Sequence, residues 1–95
     1  MSLILLAKDL PPSTGGIQRY VYQLAQALQR RGEEVVAIGT DHPGAHRLDA
    51  ASPVPIIRVP AGRGSSTAYA MAEAVEDCLR AGRLASPLRA VIAAF

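Results

Sequence analysis

Two short apolar runs, residues 3–7 and 35–38, bracket a stretch in which apolar residues recur every three or four positions. An unbroken apolar run suits a strand covered on both faces, as strands of a parallel sheet are. Between the runs, Ile17, Tyr20, Val21, Leu24, Ala27 and Leu28 fall on one face of a helix over residues 17–31. Gln18, Arg19, Gln23, Gln26, Gln29 and Arg30 sit mostly opposite. Gly32 follows as a C-terminal cap. Strand, loop, helix and strand thus fit within about 38 residues. That is the span of a βαβ unit, whose crossover is right-handed and whose strands are parallel.

The alternation continues. Residues 40–55 carry Asp41, Pro43, Gly44, Ser52, Pro53 and Pro55 and read as a loop. Residues 56–59 form a third strand, stopped by Pro60. After a glycine- and serine-rich loop at 61–66, residues 67–81 form a second amphipathic helix. Its apolar side holds Ala70, Met71, Ala74, Val75, Cys78 and Leu79. Ser66 or Thr67 caps its start and Gly82 its end. Residues 90–95 form a fourth strand. The expected fold class is α/β, an incomplete Rossmann-like parallel sheet of about four strands with two main helices. A strand order of 3-2-1-4 would set the two helices on opposite faces. Four two-sided strands and only two substantial helices suggest the first part of a larger protein, with a complete four-stranded mini-domain as the competing view. An uncovered sheet face predicts low stability and self-association.

Composition narrows the function. The 95 residues make one small domain, and an apolar content of 49% excludes a disordered chain. Residues 3–7 are too few to span a bilayer and lack the basic flank of a signal peptide, so a cytoplasmic location is expected. The net charge of +2 is scattered, without the basic, aromatic-laced patch of a nucleic-acid binder. A weak preference for anionic phosphates or an acidic lipid surface, and so peripheral association with the inner membrane face, stays open. The single Cys78 makes no internal disulfide and reads as a buried structural thiol.

The loop "LPPSTGG" is the chemically informative stretch. The first amides of a helix lack internal partners and carry the positive end of the dipole. Glycine removes the Cβ that would keep an anion away. Gly15, Gly16 and the amide of Ile17 are therefore candidates to face a phosphate or a sugar hydroxyl. Neither G-x-G-x-x-G nor the Walker A pattern is present, and a glycine turn that only packs helix against sheet is the plain alternative. A switch point beside the first strand would favour the ligand reading.

"PPSTGGIQRYVYQLAQALQRRGEEVVAIG" resembles the amino-terminal signature of the retaining GT-B glycosyltransferases, a superfamily that includes glycogen and sucrose synthases and phosphatidylinositol mannosyltransferases. The matching features are the proline, the Gly-Gly pair and the run Leu24-Ala25, Leu28, Arg31-Gly32-Glu33-Glu34-Val35. "DLPPSTGGIQRY" and "DAASPVPIIRVP" are most similar to the phosphatidylinositol-mannosyltransferase-like branch. Glu34 stands where His is more usual and reads as a surface change. The specific stretch covers about 30 residues, with weaker agreement to the end. The resemblance implies two Rossmann-like domains facing across a cleft, of which residues 1–95 are part of the first, acceptor-side domain. It implies that Gly15 and Gly16 meet the donor diphosphate or the transferred sugar. It also implies a nucleotide-sugar donor, a lipid or glycan acceptor, transfer with retention and no metal or other cofactor. The donor-binding second domain, the intramolecular partner, has no counterpart in these residues, so this chain alone should not catalyse transfer.

Other residues carry less. Lys8 and Asp9 leave the first strand at its C-terminal end and, with Arg19, are candidate acceptor contacts. His42 and His46 flank Pro43-Gly44 without a third metal ligand nearby. Residues 62–66 read as a flexible loop or an anion cradle. Tyr20 is expected in the core and Tyr22 more exposed. A non-catalytic α/β phosphate-binding or interaction module is the alternative function.

Overall fold

The structure is a computed structural model. It describes residues 1–12, 16–60, 62 and 65–94, with backbone alone for 16, 17, 65 and 94. Strands β1 (Ser2–Ala7), β2 (Glu34–Thr40), β3 (Ile56–Val59) and β4 (Leu88–Ala94) form one parallel sheet in the order β3-β2-β1-β4. Helices α1 (Gly16–Arg30), α2 (Ala45–Ala51) and α3 (Ser65–Arg80) lie in the connections.

Strand alternation splits the core in two. Leu5 and Ala7 of β1 and Val35 and Ala37 of β2 pack with Val21, Ala25 and Leu28 of α1. The intervening Ile4, Val36 and Ile38 pack with Met71 and Cys78 of α3. Two helices therefore cover opposite faces, as the strand order requires. Ile4 and Ile38 are fully enclosed, and burial of such a side chain contributes about 1.5–3 kcal/mol. The unbroken apolar runs follow from this, because successive residues serve different clusters and neither face is wetted.

The two long helices end alike. Gly32 and Gly82 adopt positive φ, 94° and 66°. The amide of Gly32 donates to the Gln29 carbonyl and that of Glu33 to the Leu28 carbonyl. Gly82 and Arg83 repeat the arrangement on Leu79 and Cys78. This pair of bonds closes the last turn of a helix and requires a left-handed residue.

Four readings need correction. The stretch 40–55 is not all loop, because it contains α2. That helix has seven residues and a left-handed Gly44 with no side-chain cap, so it lacks both the length and the start signal that reveal a helix. Tyr20 is exposed, while Tyr22 is half-buried and donates its hydroxyl to Ser52 Oγ at 2.6 Å. Leu79 is exposed beyond the edge of the α3 stripe. Glu34 is not a plain surface change. Its carboxylate accepts the amides of Ala85 and Ser86, both at 2.9 Å, and the Ser86 hydroxyl at 2.8 Å. It thereby clamps the α3–β4 connection to the start of β2. The Ala85 amide first, then the Ser86 hydroxyl and amide, hold its carboxyl below the ordinary range.

On β4, Val91 and Ile92 alternate in direction, and both are exposed.

Candidate functional site

All four strands run the same way, so their C-terminal ends share one edge, the edge at which open α/β sheets bind ligands. The order β3-β2-β1-β4 makes β1 the strand from which the chain departs in both directions. The loop from β1 to α1 leaves at that point.

The start of this loop is held by its neighbours. The Thr40 hydroxyl, at the end of β2, donates to the Lys8 carbonyl at 2.5 Å, and the Thr40 amide donates to the same oxygen at 3.2 Å. Asp9 Oδ1 lies 3.4 Å from the same hydroxyl. Next, Leu10 turns inward and is buried. It rests on Gly39, where a Cβ would come within 2.7 Å of Leu10 Cδ1. The Pro11–Pro12 peptide bond is cis. The Pro11 carbonyl accepts a hydrogen bond from Arg58 Nη2 at 2.5 Å. Arg58 also grips Asp49 of α2 with two bonds, at 3.0 and 2.9 Å, and donates Nη1 to the Thr40 carbonyl at 3.1 Å.

The candidate residues are thus placed unevenly. Lys8 and Asp9 are brought together under Thr40, with the Lys8 side chain exposed and Asp9 half-buried. Arg19 is exposed on the first turns of α1. The backbones of Gly16 and Ile17 open α1, and no acidic residue occupies its first turn to oppose an anion. Gly15 lies outside the described residues, as do Arg63 and Gly64 of the second glycine-rich loop. In that second loop the Gly62 amide donates to Thr67 Oγ1 at 3.2 Å. Thr67 is buried inside α3.

A shallow hollow of about 460 Å³ opens past the ends of β2 and β3, lined by Asp41, His42, Pro43 and Pro60. Two other grooves, of about 300 and 360 Å³, lie between β3 and α3 and along the starts of β2 and β3. Among the described residues, neither is lined by the loop after β1. His42 Nδ1 is 2.9 Å from the Pro43 carbonyl. Among the described residues, no group of three or more His, Cys, Asp or Glu is placed to hold a metal ion. Cys78 is buried on the sheet-facing side of α3, and that burial pushes its thiol up.

Thr40, Gly39, Asp49 and Arg58 shape the edge, and none stands out as a site residue in the sequence. Arg58 alone carries a signal. It is a charged residue inside the short apolar strand "IIRV", and a buried charge requires partners.

A family model described as a glycosyl transferase 4-like domain matches residues 15–94. The chain belongs to this family. The matched region of the glycosyl transferase 4-like domain begins at Gly15 and runs through α1 to the end of β4. It includes Asp49 and Arg58 as well as both glycines of the loop. The Rossmann-like reading of the sheet agrees with that membership. Comparison with curated proteins gave no match, and comparison with solved structures gave none. No helix among the described residues is long and apolar enough to cross a membrane.

Proposed function

We propose that this glycosyl transferase 4-like domain is the amino-terminal, acceptor-side part of a retaining transferase with two Rossmann-like domains. The parent moves a sugar from a nucleoside-diphosphate sugar to a lipid or glycan acceptor. The supporting observation is the place of the glycine-bearing loop. It leaves the C-terminal end of the strand at which the sheet order reverses, in a chain whose family match begins at Gly15.

In this reading, the amides of Gly15, Gly16 and Ile17 face the donor phosphates. Bare backbone and the positive end of α1 stabilise negative charge there without a metal ion. Charge grows on the leaving diphosphate as the sugar–oxygen bond breaks, so donors aimed at those oxygens act most strongly in the transition state. Lys8, Asp9 and Arg19 lie to the acceptor side, where a cation or carboxylate orients hydroxyl or phosphate groups. A donor-binding second domain completes the site, and residues 1–95 alone do not transfer sugar. The reading also carries a cytoplasmic location with peripheral contact to an anionic membrane.

The test is a titration of the isotopically labelled chain with uridine and guanosine diphosphates, followed by amide shifts. Saturable shifts at Gly15, Gly16 and Ile17 are expected, with loss of at least tenfold in affinity on Gly16→Val. Shifts confined to other surfaces would sink the phosphate assignment.

A further inference from the structure

Arg58 is the third residue of a four-residue strand, and its side chain is 10% exposed. Its guanidinium makes four hydrogen bonds to three separate stretches of chain. Nε and Nη2 take both oxygens of Asp49 in α2. Nη1 takes the Thr40 carbonyl at the end of β2, and Nη2 also takes the Pro11 carbonyl. Asp49 offsets the charge. The two carbonyls receive charge-assisted bonds, which are stronger and more directional than neutral ones. Packing alone would be served by an aliphatic side chain, as at Ile56 and Ile57 in the same strand.

We propose that Arg58 is the positioning residue of the connection between β1 and α1. It fixes the Pro11 carbonyl in space, and so sets the direction from which the chain arrives at Gly16. Thr40 anchors the Lys8 carbonyl of the same loop. The connection is therefore pinned at residues 8 and 11, by Thr40 of β2 and Arg58 of β3. Lysine cannot replace Arg58 in this role. A compact ammonium keeps the charge but cannot span a carboxylate and two carbonyls in one plane. The consequence for ligand binding rests on the phosphate reading of the loop, but the positioning itself does not.

The experiment compares backbone order parameters of the labelled wild-type chain and Arg58→Lys. Leu10, Gly16 and Ile17 are the reporters, and Ala25 and Val36 the core controls. The expected result is a fall at the reporters from about 0.85 toward 0.6, with the controls unchanged. Unchanged reporters in a folded variant would overturn the proposal. If Arg58→Lys does not fold, the wild-type guanidinium signals decide. Separately resolved Arg58 Nη protons with coupling to the Pro11 carbonyl carbon support the assignment, and averaged signals reject it. Inorganic pyrophosphate then separates the two ideas. Shifts at Gly16 and Ile17 that weaken at least fivefold in Arg58→Lys support both. If the wild type shows no such shifts, the phosphate reading fails, and the order parameters still decide the role of Arg58.

Discussion

Gly39 shows how a single position can be fixed by a distant one. Leu10 folds back from the loop and fills the space above β2 that a side chain at 39 would need. In Gly39→Ala, the new Cβ meets Leu10 Cδ1 at 2.7 Å and Cγ at 2.8 Å. Both atoms are enclosed, so either the Leu10 side chain or the loop that carries it must shift. Overpacking of this kind costs about 1–3 kcal/mol. A lower urea midpoint with an unchanged slope is the expected outcome, and an unchanged midpoint would show that Leu10 has room to move. In the sequence, Gly39 reads only as the end of an apolar run. Its partner is remote in the chain, and no local pattern connects the two. Arg58 is similar, because its charge is visible but its acceptors in α2, β2 and the loop are not. By contrast, Gly32 and Gly82 were legible. A cap depends on the helix it ends, and that helix is adjacent in the sequence.

Among the elements, strands and long helices follow from periodicity, and their observed bounds lie within two residues of the expected ones at every end. The short α2 does not, because two turns give no repeating stripe and its stability comes from contacts such as Asp49 with Arg58. The placement of β4 depends on a side-chain clamp that the sequence hides. Glu34 at the start of β2 holds the amides of residues 85 and 86, and Ser2 of β1 donates its hydroxyl to the Ser86 and Pro87 carbonyls, each at 3.0 Å. The Glu34 carboxyl is held below its ordinary value when folded. Its contribution is therefore present above the unfolded value of about 4.3 and lost as pH falls through the folded value. Glu34→Gln should lower the urea midpoint at pH 7, and the gap to wild type should narrow steadily as the solution is made more acid than the ordinary carboxylate range. A gap that stays the same size as pH falls would mean that Glu34 acts by packing, not by charge.

Across the whole molecule, neither half-core includes a described residue of β4. Both helices cover the centre of the sheet, while Leu88, Val91 and Ile92 of β4 stay exposed on an edge strand. Apolar side chains and unpaired backbone groups on one edge favour association between chains. Ile92→Lys should therefore reduce light scattering at high concentration, and its thermal midpoint should remain close to wild type because Ile92 is already 39% exposed. Equal scattering by both chains would clear β4 of this role. The overall α/β class and strand order could be read from the sequence, because apolar runs and helical stripes alternate along it. The contents of the sheet edge could not, because they are assembled from four separate segments. The long reach from β1 to β4 also has a consequence in time. Ser2 waits for Pro87, 85 residues later, and β1 waits with it. At about 5–20 residues per second, a ribosome needs roughly 4–17 s to make that interval. During it, β1, one of the two inner strands of the finished sheet, keeps an unpaired edge. The stage at which a growing chain is most open to pairing with a stranger is thus set by its number of codons and the speed at which they are read.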